Sequence, residues 1–407
     1  MKRVVVTGMG TISAFGDNWS QFEKHLRSKQ NAVVHVPKWQ EIKGLHTSLA
    51  APIPDFVKPS HYTRKQTRSM GRVSVMATRA TELALEQSQL LNSATLTNGD
   101  TGISYGSSIG STPPIVGFGD LLKHDDMTGI TATSYIQMMN HTAAVNLGVF
   151  FSAKGRIHTT SSACTSSSQG IGYAYEAIKY GKQKVMIAGG AEELCISAVA
   201  VFDTLFATST VNDTPQLTPR PFDVNRDGLV IGEGAGTLIL EEYEHAVARG
   251  ATILAEVVGY ATNSDGMHVT QPNNDTMGIA MQLALQDANL PASEIGYVSA
   301  HGTATDKGDI AETTATEKVL GKYKPISSLK SYLGHTLGAC GAIEAWSAIE
   351  MMNQQWFAPT IQLDNIDPQC GDLDYITGDG AKIDTEYVMS NNFAFGGINT
   401  SLIFKRV

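Results

Sequence analysis

Two regions of the sequence repeat the same order of local patterns, and this repetition constrains the fold more than any other feature. A β-branched run that ends at glycine and small polar residues begins both copies, at residues 4–16 and 255–266. A second strand-like run that ends in a small-residue turn follows, at 102–110 and 296–305. Self-similarity in a fixed order is typical of a duplicated architecture, so each copy is predicted to place a strand before a loop at these points.

Two further repeated segments extend the pattern to helices and to a later strand. Residues 161–181 and 333–353 both join a small-residue turn to apolar residues at helical spacing, which predicts a buried helix. Residues 184–193 are matched by residues 387–404. The four pairs together predict an α/β fold made of two pseudo-repeated halves, each a mixed sheet covered by helices.

The predicted halves are residues 1–250 and 251–407, packed face to face around one core, because no low-complexity linker separates them. The first half carries the long insertions. These segments lack a clear period and are predicted to form a cap and an intersubunit surface: residues 30–60, 110–150 and 195–225.

Charge and cysteine spacing exclude several classes of protein. The chain of 407 residues has a net charge of −9, which disfavours binding to nucleic acid. No run approaches the roughly 18 apolar residues of a membrane-spanning helix, and no cleavage site of a signal peptide is evident. We therefore expect a cytoplasmic protein without membrane insertion. The four cysteines lie far apart, unlike those of a disulfide framework or a zinc knuckle: Cys164, Cys195, Cys340 and Cys370.

Cys164 stands where a predicted strand turns into a predicted helix, at the helix N-terminus. Unpaired backbone N–H groups and the helix dipole at such a position lower the pKa of a thiol and stabilise an oxyanion. The position is typical of a nucleophile. A buried, inert cysteine is the more frequent alternative, and the residue alone does not decide between the two.

Two histidines occupy glycine-rich turns in the second half. His301 begins the run HGTAT, and His335 stands in KSYLGHTLGA. If the halves pack with pseudo-twofold symmetry, both histidines point toward Cys164. A core histidine or a metal ligand is the alternative, but neither has a second ligand at metal spacing, so no metal is expected. The glycine loop at 391–399 follows a strand and offers backbone N–H groups for an oxyanion hole.

These residues closely resemble the 3-oxoacyl-(acyl-carrier-protein) synthases I and II, over the whole chain. The matching motifs are SACTS at 162–166, HGTATDKGD at 301–309, Lys330 with Gly334-His335, FAFGG at 393–397, and the run RPFD with RDG and GEGAG between 220 and 236. The resemblance implies a thiolase-like five-layered αβαβα fold. It also implies a decarboxylating condensing enzyme that joins a malonyl unit to an acyl chain, without a cofactor.

The resemblance assigns roles to the central residues. Cys164 would carry the acyl chain, with its own N–H and that of Phe395 as the oxyanion hole, and His301 and His335 would hold the malonyl thioester oxygen. Lys330 would support the second of these histidines. Glu344 and Asp309 would organise the surrounding hydrogen bonds, although a purely structural pairing is an equal alternative for both.

Other residues are matched to the substrate path. Thr303 and Thr305 would bind phosphopantetheine, while Ile109 and Phe202 would border the acyl pocket, with Met138 and Met139 near a subunit interface. Four basic residues are predicted to share a helix and to form a dock for an acidic acyl carrier protein, although a solvated face is the usual meaning of such a run: Arg64, Lys65, Arg68 and Arg72.

Several positions depart from the family pattern. Ala394 stands where glycine is usual, which predicts a stiffer Phe395 turn. Ile398 replaces a common threonine, and Asp306-Lys307 replaces a proline-containing turn. With the run 68–74, these departures are similar to ketosynthases of aryl polyene pathways, some of which pair with an inactive chain-length factor. The partner is therefore expected to be a second copy or such a factor.

Three other classes of protein require different residues from those of a condensing enzyme. A thiolase-type acyltransferase would use a second cysteine, and Cys340 stands five residues beyond His335. A ketosynthase-like scaffold subunit would lack the nucleophile that Cys164 supplies. An NAD-linked enzyme is suggested by Gly8-x-Gly10, but Ser13 breaks that glycine fingerprint.

Overall fold

The computed structural model describes residues 1–407 as a mixed α/β fold built on one large sheet. The strands are β1 (Val4–Ile12), β2 (Val34–His35), β3 (Leu49–Ala51), β4 (Thr101–Gly106), β5 (Ile157–Thr160), β6 (Val185–Glu192), β7 (Ile231–Gly232), β8 (Gly234–Glu242), β9 (Ala255–Ser264), β10 (Ile295–Ser299), β11 (Pro325–Ser327), β12 (Trp356–Phe357), β13 (Asp374–Tyr375), β14 (Ala381–Lys382), β15 (Tyr387–Ala394) and β16 (Ile398–Lys405). The helices are α1 (Trp19–Ser28), α2 (Arg64–Thr67), α3 (Arg72–Gln87), α4 (Ala94–Thr97), α5 (Pro113–His124), α6 (Ser134–Met138), α7 (Thr142–Phe151), α8 (Ser166–Lys179), α9 (Ile196–Thr204), α10 (Tyr243–Ala248), α11 (Asn274–Ala288), α12 (Asp306–Leu320), α13 (Lys330–Leu333) and α14 (Cys340–Gln354).

The order of the large sheet confirms the duplication. It runs β13-β11-β10-β15-β16-β9-β1-β8-β6-β4-β5, so five equivalent strands lie on each side of the junction between β9 and β1, and β13 is an additional edge strand of the second set. In each set the two pairings nearest the junction are antiparallel and the two farther out are parallel. One detail of the fourth repeat was wrong. The segment 387–404 holds two strands, β15 and β16, and the counterpart of β16 is β8 rather than part of 184–193.

Helices complete the five layers of the thiolase-like fold. The outer layers are α3 with α7 on the first set of strands and α11 with α12 on the second. Between the two sets lie α8 and α14, which contact each other and strands of both halves. One hydrophobic core surrounds these central helices and takes residues from both halves, among them Ile171, Leu240, Trp346 and Leu402. The predicted boundary at residue 250 lies in the connection between α10 and β9.

The first repeated motif has a packing reason. A β-carbon at Gly8 would lie 2.1 Å from the carbonyl oxygen of Ala84, and one at Gly10 would lie 2.2 Å from that of Ala80. Both glycines therefore let α3 approach the backbone of β1 more closely than any side chain allows. The same glycines suggested a dinucleotide-binding turn in the sequence, but here they lie inside a strand and accommodate a helix.

The insertions contain more regular structure than their sequences suggest. The segment 110–150 forms α5, α6 and α7, and the segment 195–225 contains α9. Their periodicity is obscured because several of their apolar side chains are exposed, including Val116, Leu122 and Val149. None of the helices in the protein combines the length and the apolar character needed to cross a lipid bilayer.

Candidate active site

Cys164 lies on a sharp connection between β5 and α8. A short 3-10 turn at Ala163–Thr165 precedes the helix, and Ala163 adopts a left-handed backbone with φ of 50°. This conformation is uncommon for a residue with a β-carbon and reverses the chain between strand and helix. It places the thiol in a cavity of about 430 Å³ that is also lined by His301 and His335.

His335 contacts the thiol directly. Its Nε2 lies 2.9 Å from Sγ of Cys164, and its Nδ1 accepts a hydrogen bond of 3.2 Å from the backbone N–H of Leu337. Because Nδ1 is an acceptor, the ring proton of the neutral imidazole lies on Nε2. Burial, assisted by the charge of Lys330, holds the pKa of His335 well below its ordinary value. His335 is therefore a neutral donor that points its N–H into the cavity.

His301 has the same tautomer for a different reason. Its Nδ1 lies 3.2 Å from the ammonium Nζ of Lys330 and 3.4 Å from Nδ2 of Asn392. Both of these nitrogens are donors, so Nδ1 accepts and Nε2 carries the proton. Burial and the Lys330 charge lower the pKa of His301 well below its ordinary value. The expected support of His335 by Lys330 is corrected here, since the hydrogen bond of Lys330 goes to the other histidine.

Glu344 keeps Lys330 charged in the interior. The Lys330 ammonium lies 2.5 Å from one carboxylate oxygen of Glu344, and the other oxygen accepts a hydrogen bond of 2.7 Å from Asn392. Burial opposes the charge on Lys330, but Glu344, with smaller contributions from Cys340 and Glu312, outweighs this effect and raises the pKa of Lys330. The lysine thus remains an obligate donor toward His301.

The thiol is less acidic than the helix N-terminus suggests. Burial raises the pKa of Cys164 to about 12, although Lys330 and the backbone N–H groups of Phe395 and Cys164 favour the thiolate. The predicted lowering of this pKa was wrong because Cys164 is almost fully buried, with 4% of its surface exposed. The same two N–H groups converge on the sulfur, where an oxyanion hole requires them.

Metal binding is a separate possibility for this cluster, because the ligand atoms of Cys164, His301 and His335 lie within 4.8 Å of one another. The Lys330 ammonium, 3.2 Å from His301, opposes a second positive charge here. Cys340 also lies nearby, but its Sγ donates a hydrogen bond of 3.2 Å to the carbonyl of Cys164. This contact directs Cys340 toward the backbone behind the nucleophile.

The two predicted acyl-pocket residues lie in different cavities. Phe202 lines the cavity of Cys164 and stacks on Phe395, with ring centroids 5.1 Å apart. Ile109 lines a second, more open cavity together with Met138 and Met139, near the exposed edge strand β5. The two residues line separate cavities in this structure, and their shared role at an acyl pocket stays a prediction.

Thr303 and Thr305 line the wall of the catalytic cavity, and their hydroxyl groups lie 2.9 Å apart. Asp309 holds this turn, because its carboxylate accepts hydrogen bonds from the N–H groups of Thr303 and Ala304. Burial raises the pKa of Asp309 to about 6. Asp309 makes no hydrogen bond to Lys330 or to either histidine, so it belongs to a loop-fixing network separate from theirs.

Glu312 is a residue of the site that the sequence reading missed. Its buried carboxylate accepts hydrogen bonds of 2.7 Å from the backbone N–H groups of both His301 and Gly302. Burial raises the pKa of Glu312 to about 8. The available signal was its position on α12 three residues after Asp309, which places both carboxylates on the helix side that faces the HGTAT turn.

The predicted basic helix is interrupted. The helix α2 ends at Thr67, and α3 begins at Arg72, so Arg64, Arg68 and Arg72 do not share one helical face. Arg72 forms a two-pronged ion pair with the buried Glu233, at 2.8 and 2.9 Å. It therefore stabilises the fold and is removed from the docking prediction. Arg64, Lys65 and Arg68 are exposed.

Comparison with known proteins identifies the class of protein that this fold and site define. A sequence model of the beta-ketoacyl synthase N-terminal domain matches residues 1–246, and that of the beta-ketoacyl synthase C-terminal domain matches residues 254–364. The chain belongs to the beta-ketoacyl synthase family. The resemblance read from the sequence motifs is thereby confirmed.

Individual relatives show how close the likeness is. The chain is 37% identical to the 3-oxoacyl-[acyl-carrier-protein] synthase 2 of Vibrio harveyi, over 100% of this chain and 99% of the relative. It superposes on a beta-ketoacyl synthase from Burkholderia phymatum with a TM-score of 0.99 and 61% identity, each chain being covered completely.

Two solved complexes are also similar to this chain. The ishigamide ketosynthase/chain length factor has a TM-score of 0.91 at 30% identity, with 100% of this chain and 99% of that chain covered. A type II polyketide ketosynthase, bound to a hexaketide and in complex with its acyl-carrier protein, has a TM-score of 0.88 at 31% identity, with the same coverage.

Proposed function

We propose that this protein catalyses decarboxylative condensation of malonyl-acyl-carrier protein with an acyl chain held on Cys164, giving a 3-oxoacyl-acyl-carrier protein. The observation that carries the proposal is a pair of neutral histidines beside the Cys164 thiol: Nε2 of His335 lies 2.9 Å from Sγ, and a ring nitrogen of His301 lies within 4.8 Å of it. Two fixed donors beside a nucleophile suit a reaction in which negative charge grows on a thioester oxygen.

The first step is transfer of the acyl group. Sγ of Cys164 attacks the acyl thioester, and the N–H groups of Cys164 and Phe395 hold the tetrahedral oxyanion. The carbon–sulfur bond to phosphopantetheine then breaks. Because His335 already carries its proton on Nε2, we assign the thiol proton to the departing phosphopantetheine sulfur rather than to the histidine.

The second step uses the malonyl thioester. The bond to the carboxylate breaks, carbon dioxide leaves, and its electron pair forms an enolate whose oxygen accepts hydrogen bonds from His301 and His335. The carbanion attacks the acyl-Cys164 carbonyl, and the released thiolate takes a proton from solvent. The driving force is loss of carbon dioxide, so the proposed reaction requires neither a metal nor a cofactor.

Partners and pathway extend the proposal. The exposed basic residues Arg64, Lys65 and Arg68 suit the acidic acyl carrier protein. The edge strand β5 has one neighbouring strand. Exposed apolar residues lie on it, such as Ile157, and on the adjacent helix α7, such as Val149, which favours a second chain of the same fold on that edge. That chain is a second copy or a chain-length factor. Such partners imply chain elongation in the cytoplasm, for fatty acids, aryl polyenes or polyketides.

The test incubates the protein with carrier proteins bearing saturated, unsaturated and aryl polyenoyl starters, adds malonyl-carrier protein, and follows products by intact-protein mass spectrometry. Cys164→Ala is expected to abolish acylation, while the matched variant Cys370→Ala retains it. The preferred starter identifies the pathway. If no starter acylates Cys164, even with a candidate partner subunit, the condensing function is wrong and a thiolase-type or scaffold role replaces it.

A further inference from the structure

A buried carboxylate outside the predicted site connects the two cavities. Glu192, at the end of β6, has no exposed surface and accepts hydrogen bonds from three residues of the loop that follows β4. Ser107 Oγ donates at 2.9 Å, the backbone N–H of Ser108 at 2.7 Å and that of Ile109 at 3.4 Å, and the Ser108 hydroxyl also donates. On this side Glu192 fixes the loop that carries Ile109 into the second cavity.

On its other side Glu192 contacts the turn that sets the tautomer of His335. Its Oε2 accepts a hydrogen bond of 3.1 Å from the N–H of Gly338, the residue after Leu337. A β-carbon at Gly338 would lie 2.6 Å from this oxygen, so only glycine allows the contact. The N–H of Leu337 donates to Nδ1 of His335. Because Glu192 fixes the neighbouring Gly338, it also keeps the Leu337 N–H in position toward that nitrogen.

The groups that contact Glu192 are electrically neutral. All of its partners are N–H and O–H groups, and burial raises the pKa of Glu192. Burial is also the main cause of the raised pKa of Cys164, while Lys330 lowers that pKa and Glu192 adds a smaller rise. His301 and His335 are neutral, and Cys340 is a buried thiol whose own pKa is raised by burial.

We propose that Glu192 is a positioning residue: its hydrogen bond to Gly338 fixes the turn beside His335 and so holds this histidine as an Nε2–H donor. The proposal rests on the condensing function. It explains why the site contains a buried carboxylate that touches neither substrate nor catalytic side chain.

Two variants test the positioning role. Glu192→Gln removes the charge and turns one acceptor into a donor, whereas Glu192→Asp keeps the charge but shortens the reach to Gly338. Both are expected to slow decarboxylation of malonyl-carrier protein by about 10- to 100-fold, with little change in KM, because a misplaced donor is costly in the transition state. Alkylation of Cys164 by iodoacetamide at pH 8 reports on the thiol itself and is expected to change far less than decarboxylation in both variants.

The matched control is Glu193→Gln, since Glu193 is also buried but binds only Thr112. It is expected to leave both rates unchanged. Equal losses in Glu193→Gln and Glu192→Gln, or a loss of alkylation in Glu192→Gln as large as its loss of decarboxylation, would overturn the proposal. Circular dichroism checks the fold, and if Glu192→Gln unfolds, Glu192→Asp carries the test. Alkylation needs no substrate, so a wild-type protein that alkylates normally but decarboxylates nothing refutes the condensing function alone.

Discussion

Replacing Lys330 by methionine is expected to destabilise the protein strongly, because it removes the buried ion-pair partner of Glu344. The ammonium and the Glu344 carboxylate are 2.5 Å apart, and their side chains are 2% and 5% exposed. Removing one member of such a pair leaves the other charge buried and uncompensated, which costs about 3–5 kcal/mol. A typical domain has only about 5–15 kcal/mol of unfolding free energy, so this is a large fraction.

The loss should depend on pH with a defined sign. Burial raises the pKa of Glu344 above its ordinary value, while Lys330 and Asn392 oppose that rise. Without Lys330 the folded-state pKa rises further. The unfolded-state pKa of a glutamate is about 4.3. When the folded-state pKa is higher, the contribution of the group to the free energy of unfolding is complete below the unfolded-state pKa and is lost as the pH rises toward the folded-state pKa. The penalty of Lys330→Met should therefore grow by up to about 1.4 kcal/mol per pH unit above pH 5.

Urea unfolding at pH 5, 6.5 and 8 measures the loss of unfolding free energy and its dependence on pH. The four proteins compared are the wild type, Lys330→Met, Glu344→Gln and the double variant. The double variant is expected to lose less than the sum of the single losses, because it buries no lone charge. Lys318→Met is the control, since its ion pair with Asp275 is more than 60% exposed on both sides. Additive losses, or a Lys330→Met penalty that is constant with pH, would refute the reasoning.

Three further outcomes follow from the site. His335→Gln is expected to lower decarboxylation of malonyl-carrier protein by about 10²- to 10³-fold, while mass spectrometry still detects acylation of Cys164. Alkylation of Cys164 by iodoacetamide should rise steeply only above pH 9, since burial raises its pKa to about 12; a midpoint at or below pH 8 would contradict the burial argument. Arg72→Gln should cost about 1–3 kcal/mol in urea unfolding, because it strips the buried Glu233 of its partner. By contrast, Arg68→Gln should leave stability unchanged and raise the KM for carrier-linked substrates about fivefold, and the opposite pattern would reject the division of roles.

The repeated segments predicted the fold because they describe local geometry that survives duplication. A fully buried strand such as β1 and a small-residue turn before α8 each have a recognisable sequence pattern. The insertion at 110–150 has no such pattern, because α5 and α7 expose apolar side chains that break the helical period. A single sequence does not indicate which surface another chain covers. The exposed valines of this insertion therefore cannot be distinguished from core residues by sequence.

The central residues of the site were predictable by motif, but their electrostatics were not. Cys164, His301 and His335 stand in short, distinctive runs, and the structure brings them together. The pKa of the thiol depends on how deeply Cys164 is buried. The hydrogen-bond partner of Lys330 depends on which of the two histidines the fold places next to its ammonium group. Glu192 and Glu312 were missed because each accepts hydrogen bonds mainly from backbone N–H groups, and a carboxylate at the end of a strand or within a helix has no distinctive sequence signal.

The two histidines reach one tautomer by independent routes, and that difference has a functional consequence. Nδ1 of His335 is held by a backbone N–H, which carries no charge and does not titrate. Nδ1 of His301 is held by the Lys330 ammonium, whose charge the ionised Glu344 stabilises. Protonation of Glu344 would remove this stabilisation, so burial would favour neutral Lys330 and weaken its hydrogen bond to His301. The donor strength of His301 is therefore coupled to one buried carboxylate, and acid should impair decarboxylation through His301 before it affects His335.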